Sequence, residues 1–143
     1  MSIRIQLDDA RSNLTEGRFV AAMVLYSIAI AAASRKRYPD KRDGDAFCTF
    51  VQDENRMLMP GGETLYIPGT EPKDPPGEIP EMTLATFLYK YIRCKIVHEA
   101  ELPTHVTLSR KPFLIRVIGC WVELGDHFFA GLHRIVANAP EAN

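Results

Sequence analysis

The sequence predicts a mainly α-helical domain, a bundle of about five helices with a small β-hairpin between the last two. Apolar residues recur at helical spacing near both ends of the chain. An alanine-rich stretch follows the first of these segments, and a later stretch, Thr83 to Glu101, is apolar nearly all round. With 143 residues, the chain fits one domain, residues 1–143, that can bury about two thirds of its unfolded surface.

The first two helices are predicted from spacing and helix propensity. The first covers Ile3 to Glu16 and is followed by Gly17, the residue type that most readily adopts the left-handed conformation ending a helix. The second runs from Arg18 to Tyr38, where alanine is frequent and breakers are few, and Pro39 stops it. This second helix is expected to be long and largely buried.

The second helix ends in a run of cations, Arg35, Lys36 and Arg37, continued by Lys41 and Arg42. One interpretation is a solvated cap, because the helix dipole favours cations in the last turn. The other interpretation is the rim of a binding site that attracts phosphate groups. The spacing of these residues does not choose between the two.

A third helix, short and amphipathic, is predicted to begin at Asp43 or Asp45, either of which can cap it, and to extend to about Glu54. Prolines and glycines are concentrated from Pro60 to Pro80, which excludes a long helix or a central strand there. That segment is predicted to be a surface loop, with a short extended piece at Thr64 to Ile67.

The stretch from Thr83 to Glu101 is predicted to be a buried helix. A helix without a polar face lies within a bundle or between a bundle and a partner chain. On a straight helix with about 100° per residue, His98 is expected beside Phe87 and Cys94, whereas Arg93 projects about 140° away. These two polar side chains are therefore not expected on one face.

A small β-hairpin is predicted after this helix. The segments His105 to Ser109 and Phe113 to Ile118 are rich in β-branched residues and flank a basic, proline-containing segment. We expect them to pair around that segment, with the second strand continuing toward Trp121.

The last helix is predicted to begin near Leu124 to Asp126 and to end at about Asn138, before Pro140. Its apolar residues recur at helical spacing, which predicts a face turned to the core. The residues on that face are Phe128, Phe129, Leu132, Ile135 and Val136.

Charge and cysteine content limit the partners and the compartment. The formal net charge is -1, so overall charge gives no reason to expect indiscriminate nucleic-acid binding, and an anion site would be local. Cys48, Cys94 and Cys120 are odd in number and widely spaced, which is typical of reduced core thiols. The apolar run from Phe19 to Ala33 is shorter than the roughly 20 residues that span a bilayer. We expect a cytoplasmic protein without a membrane partner.

Common catalytic and metal motifs are not found in the sequence. It contains no glycine-rich phosphate loop, no zinc-type spacing of cysteine and histidine, and no nucleophile elbow. Cys120 and His127 alone make a poor metal site, so no metal or cofactor is expected. His105 and His133 are expected at the surface or an interface, and Trp121 in the core.

Arg93 and His98 are the candidate catalytic residues. Histidine can move a proton near neutral pH, and arginine can hold a phosphate with two parallel hydrogen bonds, so the pair suits phosphodiester cleavage. The plainer interpretation is a satisfied core histidine and an arginine whose stem lies along apolar surface.

The segment around these two residues resembles the signature helix of the HEPN superfamily, in which an arginine is followed a few residues later by a histidine. Here four residues separate Arg93 from His98. The Gly17-Arg18-Phe19 start of the second helix, its end at Arg37-Tyr38-Pro39 and a closing helix are also similar to small stand-alone HEPN proteins. The resemblance covers most of the chain.

The resemblance implies a homodimer in which two copies of the motif helix meet across a two-fold axis. It implies a metal-independent endoribonuclease of the toxin or phage-defence type. His98 would transfer the proton of the ribose 2′-hydroxyl, and Arg93 would hold the scissile phosphate in a composite site. The expected substrate-binding residues are Lys95, Arg35 and Arg37.

Cys94 stands directly after the motif arginine, where active families commonly have a polar residue, and a thiol is a weak hydrogen-bonding group. The alternative is therefore a non-catalytic HEPN-like module for dimerisation or for binding nucleotide or RNA. A third interpretation is a regulatory domain whose partner is an antitoxin or a nucleotidyltransferase.

Overall fold

The computed structural model describes residues 2–58, 66–67, 81–99, 101–103, 105–119 and 121–143. This part of the chain is mainly helical with a small three-stranded sheet, so the predicted fold class is confirmed at that level. The elements are α1 (Ile3–Thr15), α2 (Phe19–Arg37), α3 (Asp43–Leu58), β1 (Tyr66–Ile67), β2 (Met82–Thr83), α4 (Leu84–Thr86), a π-helical segment (Phe87–Arg93), α5 (Cys94–Glu99), β3 (Val106–Leu108), β4 (Ile115–Ile118), β5 (Trp121–Leu124), α6 (Asp126–Ala137) and a final 3₁₀ turn (Pro140–Ala142).

Helices α1 and α2 begin and end close to where the sequence predicts. The Ser2 hydroxyl accepts a hydrogen bond from the Ile5 N–H at 3.1 Å, and Gly17 has a φ of +80° in the turn that follows α1. Such a φ is accessible to glycine without steric cost. The two helices therefore form an antiparallel pair joined by a tight turn.

Helix α2 is long and apolar. An 18-residue window of this helix has a mean hydropathy of 1.4, and by length and composition the helix could cross a membrane. Half of that window, 50%, is buried inside the domain. The core helix of a soluble protein meets the same criteria. Met23, Tyr26 and Ile30 lie in the core beside the predicted face of α6, whose five apolar residues are all buried.

Residues 84–99, here called the motif helix, combine α4, the π-helical segment and α5 without a break. The Thr83 hydroxyl caps its start by accepting a hydrogen bond from the Thr86 N–H at 3.2 Å. Hydrogen bonds from i to i+5 widen the turn in the π-helical segment, so the phase of a straight helix is not kept across it. His98 is exposed near the end of α5, and Phe87 is fully buried at the start of the π-helical segment.

The predicted pairing of the strands is wrong. The antiparallel hairpin joins β4 to β5, and β3 pairs in parallel with β5, which gives the order β3-β5-β4. The segment between β3 and β4 turns along the start of α6 instead, because the carbonyl of Lys111 accepts from Asp126 N–H at 2.9 Å and that of Phe113 from His127 N–H at 3.2 Å. Trp121 is 51% exposed rather than in the core.

The predicted proline-rich loop lies almost wholly outside the described residues. Within it, β1 pairs antiparallel with β2, Tyr66 opposite Thr83 and Ile67 opposite Met82. The expected extended piece at Thr64 to Ile67 therefore contains a short strand.

Candidate functional site

Arg35 and Arg93 line one apolar groove of about 390 Å³, here called the α2 groove. Arg35 belongs to α2 and Arg93 ends the π-helical segment, so two elements far apart in the chain supply the guanidinium groups. The rest of the groove is formed by α2 and α5, through Val20, Val24, Ser27, Ile28, Ala31 and Ile96.

The α2 side of this groove is a continuous stripe of one helix face. Its members follow the spacing of three or four residues that places side chains on one side of an α-helix. Val20 is 43% exposed and Ile28 is 41% exposed, which is unusual for the face of a core helix. The groove therefore presents apolar surface to whatever occupies it.

Arg93 is held over an aromatic ring. Its guanidinium carbon lies 5.3 Å from the centre of the Tyr89 ring, a distance suited to a cation–π contact. Tyr89 in turn packs against Phe47, with 5.5 Å between ring centres. A Cβ placed on Gly44 would lie 3.0 Å from the Tyr89 ring, so a larger residue there would fit only if the ring moved back by a few tenths of an ångström. Packing on α3 thus fixes the platform on which Arg93 rests.

The thiol of Cys48 on α3 is protonated rather than reactive. Burial, with smaller contributions from Asp45 and Cys94, raises the pKa of Cys48. Burial also raises the pKa of Tyr89, again with a contribution from Cys94. Cys48 and Cys94 are both free thiols, as the sequence predicts, and Cys120 lies outside the described residues.

Arg93 and His98 do not both line the α2 groove. His98 is exposed near the end of α5, does not line the α2 groove, and has no hydrogen bond with the described residues. Lys95, a predicted substrate-binding residue, forms an ion pair with Glu99 at 2.6 Å. Of the five predicted site residues, Arg35 and Arg93 are therefore the two that line the α2 groove.

Arg37 occupies a different environment from Arg35. Its guanidinium lies 2.5 Å from a Glu54 carboxylate oxygen and 2.7 Å from one of Glu141, and its carbon lies 4.6 Å from the centre of the Phe50 ring. Both carboxylates are largely buried, so Arg37 joins α2, α3 and the C-terminal turn. Arg37 does not line the α2 groove.

No sequence pattern indicated a second cluster of polar side chains, which is centred on His133. His133 on α6 lies between Arg11 and Tyr26, at 2.7 Å from the Arg11 guanidinium and 3.2 Å from the Tyr26 hydroxyl. The three residues come from α1, α2 and α6 and share no local motif, so their spacing in the sequence does not predict the contact. The prediction of a surface or interface position missed these partners.

The described residues contain no group of three or more histidine, cysteine, aspartate or glutamate side chains that could hold a metal ion.

The chain is similar to a family model named Rv1289, which matches residues 2–130. The chain belongs to the Rv1289 family. The matched region of this Rv1289-family chain includes the whole α2 groove, and the family is a domain of unknown function. Neither a curated protein nor a solved structure matches the chain.

Proposed function

We propose that this domain binds nucleotide or RNA phosphate groups in the α2 groove, with Arg35 and Arg93 as the phosphate ligands. The observation that supports this function is that Arg35 and Arg93, which come from separate elements, line one apolar groove. In the described part of the chain, neither arginine has a carboxylate within ion-pair distance, so both charges are available to an anion.

The chemistry of the groove suits a phosphate that carries an organic group. Guanidinium groups donate paired hydrogen bonds to phosphate oxygens. The aliphatic wall made by Val24, Ile28 and Ile96 offers a surface for the apolar faces of a base and a ribose. Because the net charge of the chain is -1, binding depends on this local pair of cations rather than on a general basic surface.

Removing either guanidinium is expected to weaken RNA binding. Arg35→Gln and Arg93→Gln should each raise the dissociation constant for a short single-stranded RNA by about tenfold or more, since a charged hydrogen bond contributes about 1.5–3 kcal/mol. Fluorescence anisotropy at fixed salt measures the change. Arg42→Gln removes one exposed charge outside the groove and is the matched control. Equal losses for all three variants would show that binding follows overall charge and not the groove.

A second candidate function is metal-independent RNA cleavage by a homodimer. We propose it because His98 is exposed on the same helix as Arg93, beside an apolar groove that a second copy could cover. A composite site would then pair the Arg93 of one chain with the His98 of the other. An antitoxin or a nucleotidyltransferase would be a partner in a toxin-type system.

Cleavage by the dimer is expected to depend on His98 and not on metal. In the presence of a chelator, wild-type protein should cut RNA, whereas His98→Ala should lose about 100-fold or more in rate, the usual contribution of an acid/base group. RNA affinity and the mass in solution should not change. Intact RNA after incubation with a wild-type protein that binds it would leave binding as the function and exclude the nuclease.

A further inference from the structure

A second cleft, about 290 Å³ in volume and here called the His133 cleft, lies on another part of the bundle from the α2 groove. Helices α1, α2 and α6 and the segment before β4 surround it. Its polar lining consists of Arg11, Thr15, Tyr26, Arg110, Asp126, His133 and Arg134, and its apolar lining of Leu14, Phe129 and Ala130.

The hydrogen bonds in this cleft define the state of His133. The Arg11 guanidinium lies 2.7 Å from Nε2 of His133, and because arginine can only donate, Nε2 is the acceptor of a neutral imidazole. The proton then lies on Nδ1, which is 3.2 Å from the Tyr26 hydroxyl. Burial, and then the positive charges of Arg11 and Arg4, lower the pKa of His133. Arg11 therefore has a neutral partner and keeps its full charge.

The cleft carries more positive than negative charge. Arg110 is paired with Asp126 at 2.6 Å and also donates to the carbonyl of Leu14 at 3.0 Å. Among the described residues, neither Arg11 nor Arg134 has a carboxylate within ion-pair distance. Two guanidinium charges thus remain without a counter-charge in a concave site, and such sites concentrate anions.

We propose that the His133 cleft binds a phosphate group, with Arg11 and Arg134 as its cationic ligands. A phosphate dianion matches the two unpaired charges, and arginine recognises its oxygens with several hydrogen bonds at once. The buried ring of Phe129 and the side chain of Leu14 leave apolar space beside it, so a phosphomonoester with a small organic group and free phosphate share the recognised chemistry. This proposal does not rest on binding in the α2 groove.

The pKa of His133 is a direct measure of whether a phosphate occupies the His133 cleft. A phosphate beside the imidazole stabilises its protonated form and should raise its pKa, measurable from imidazole resonances in an NMR pH titration. The charged and titratable groups that face His133 are Arg4, Asp8 and Arg11 on α1, Tyr26 on α2, Arg134 and Asp126 on α6, and Arg110 before β4. Asp8 opposes Arg11 and Arg4 by favouring the charged imidazole.

The test uses the full chain with three probes: inorganic phosphate, phenyl phosphate and acetate. We expect either phosphate probe to raise the pKa of His133, and acetate to have at most a small effect. Arg134→Gln should weaken phosphate binding by about tenfold or more without removing any hydrogen bond of the fold. Arg11→Gln should do the same and should by itself raise the pKa of His133.

Arg42→Gln is the control, since it removes one charge outside the His133 cleft and should leave the phosphate affinity of the cleft within about twofold. Tighter binding of phenyl phosphate assigns the site to a phosphomonoester, and tighter binding of inorganic phosphate assigns it to the free ion. The proposal is overturned if no phosphate probe moves the His133 resonances, or if Arg42→Gln weakens binding as much as Arg134→Gln.

Discussion

Replacing Arg37 with methionine is expected to destabilise the domain by about 3–5 kcal/mol, because a buried carboxylate then loses its counter-charge. The Glu54 side chain is only 7% exposed and lies 2.5 Å from the Arg37 guanidinium. The Glu141 side chain, 17% exposed, accepts hydrogen bonds from Nε and Nη2 of the same arginine at 2.7 and 2.8 Å. One cation therefore connects the end of α2 with α3 and the C-terminal turn.

Urea denaturation of Arg37→Met against wild type measures this loss. Arg18→Met is the control, because its ion pair with Glu16 is exposed, 69% and 58% for the two side chains, and such pairs contribute about 0–1 kcal/mol. Combining Arg37→Met with Glu54→Leu should recover part of the stability, since the more deeply buried of the two carboxylates is then no longer left unpaired. A double variant as unstable as the single one would contradict this explanation.

The same triad predicts a pH dependence. Hydrogen bonds from Arg37 lower the pKa of Glu141 below its usual value of 4.5. Its contribution to stability is therefore present above the pKa of the unfolded chain and is lost as the pH falls through the lower pKa of the folded state. The difference between wild type and Arg37→Met should shrink on acidification below about pH 4.5.

Gly125→Ala is expected to have the other large effect, a loss of about 3 kcal/mol or more. A Cβ at this position would lie 2.2 Å from the carbonyl oxygen of Phe113 and 2.8 Å from that of Lys111. Gly125 has φ -96° and ψ -171°, which any residue can adopt, so the cost is steric. The two carbonyls accept hydrogen bonds from the first turn of α6 and cannot move away without losing them.

Gly131→Ala provides the matched control for this substitution. Gly131 lies within the same helix, and a Cβ there would meet no atom within 4 Å. Alanine at this position should stabilise the domain by about 0.5–1 kcal/mol, because glycine loses more backbone freedom in a helix. Thermal or urea unfolding compares the two, and similar stability for both variants would show that the packing at Gly125 is looser than the structure indicates.

Local signals predicted the helices well. Gly17 adopts the positive φ expected of a helix stop, and the apolar face of α6 is buried as its spacing indicates. The parallel pairing of β3 with β5 joins segments that β4 separates in the chain. Neighbouring residues do not encode such contacts, so the hairpin was predicted incorrectly.

The candidate site was predictable in the same limited way. The sequence showed cations at the end of α2 but could not separate Arg35 from Arg37, which are two residues apart and face different partners. Only the packing of α2 against the motif helix brings Arg35 and Arg93 into one groove. His133 and its two partners come from three different helices, so their contacts could be identified only from the packed structure.

A double-mutant cycle on Arg35→Gln and Arg93→Gln tests the proposed binding function most directly. If both guanidinium groups hold one phosphate, the loss of RNA affinity in the double variant should differ from the sum of the single losses by about 0.5 kcal/mol or more. The dependence of affinity on salt should also fall, by about 0.7 in logarithmic slope for each lost phosphate contact on a single strand. Purely additive losses with an unchanged salt slope would contradict a shared phosphate site in the α2 groove.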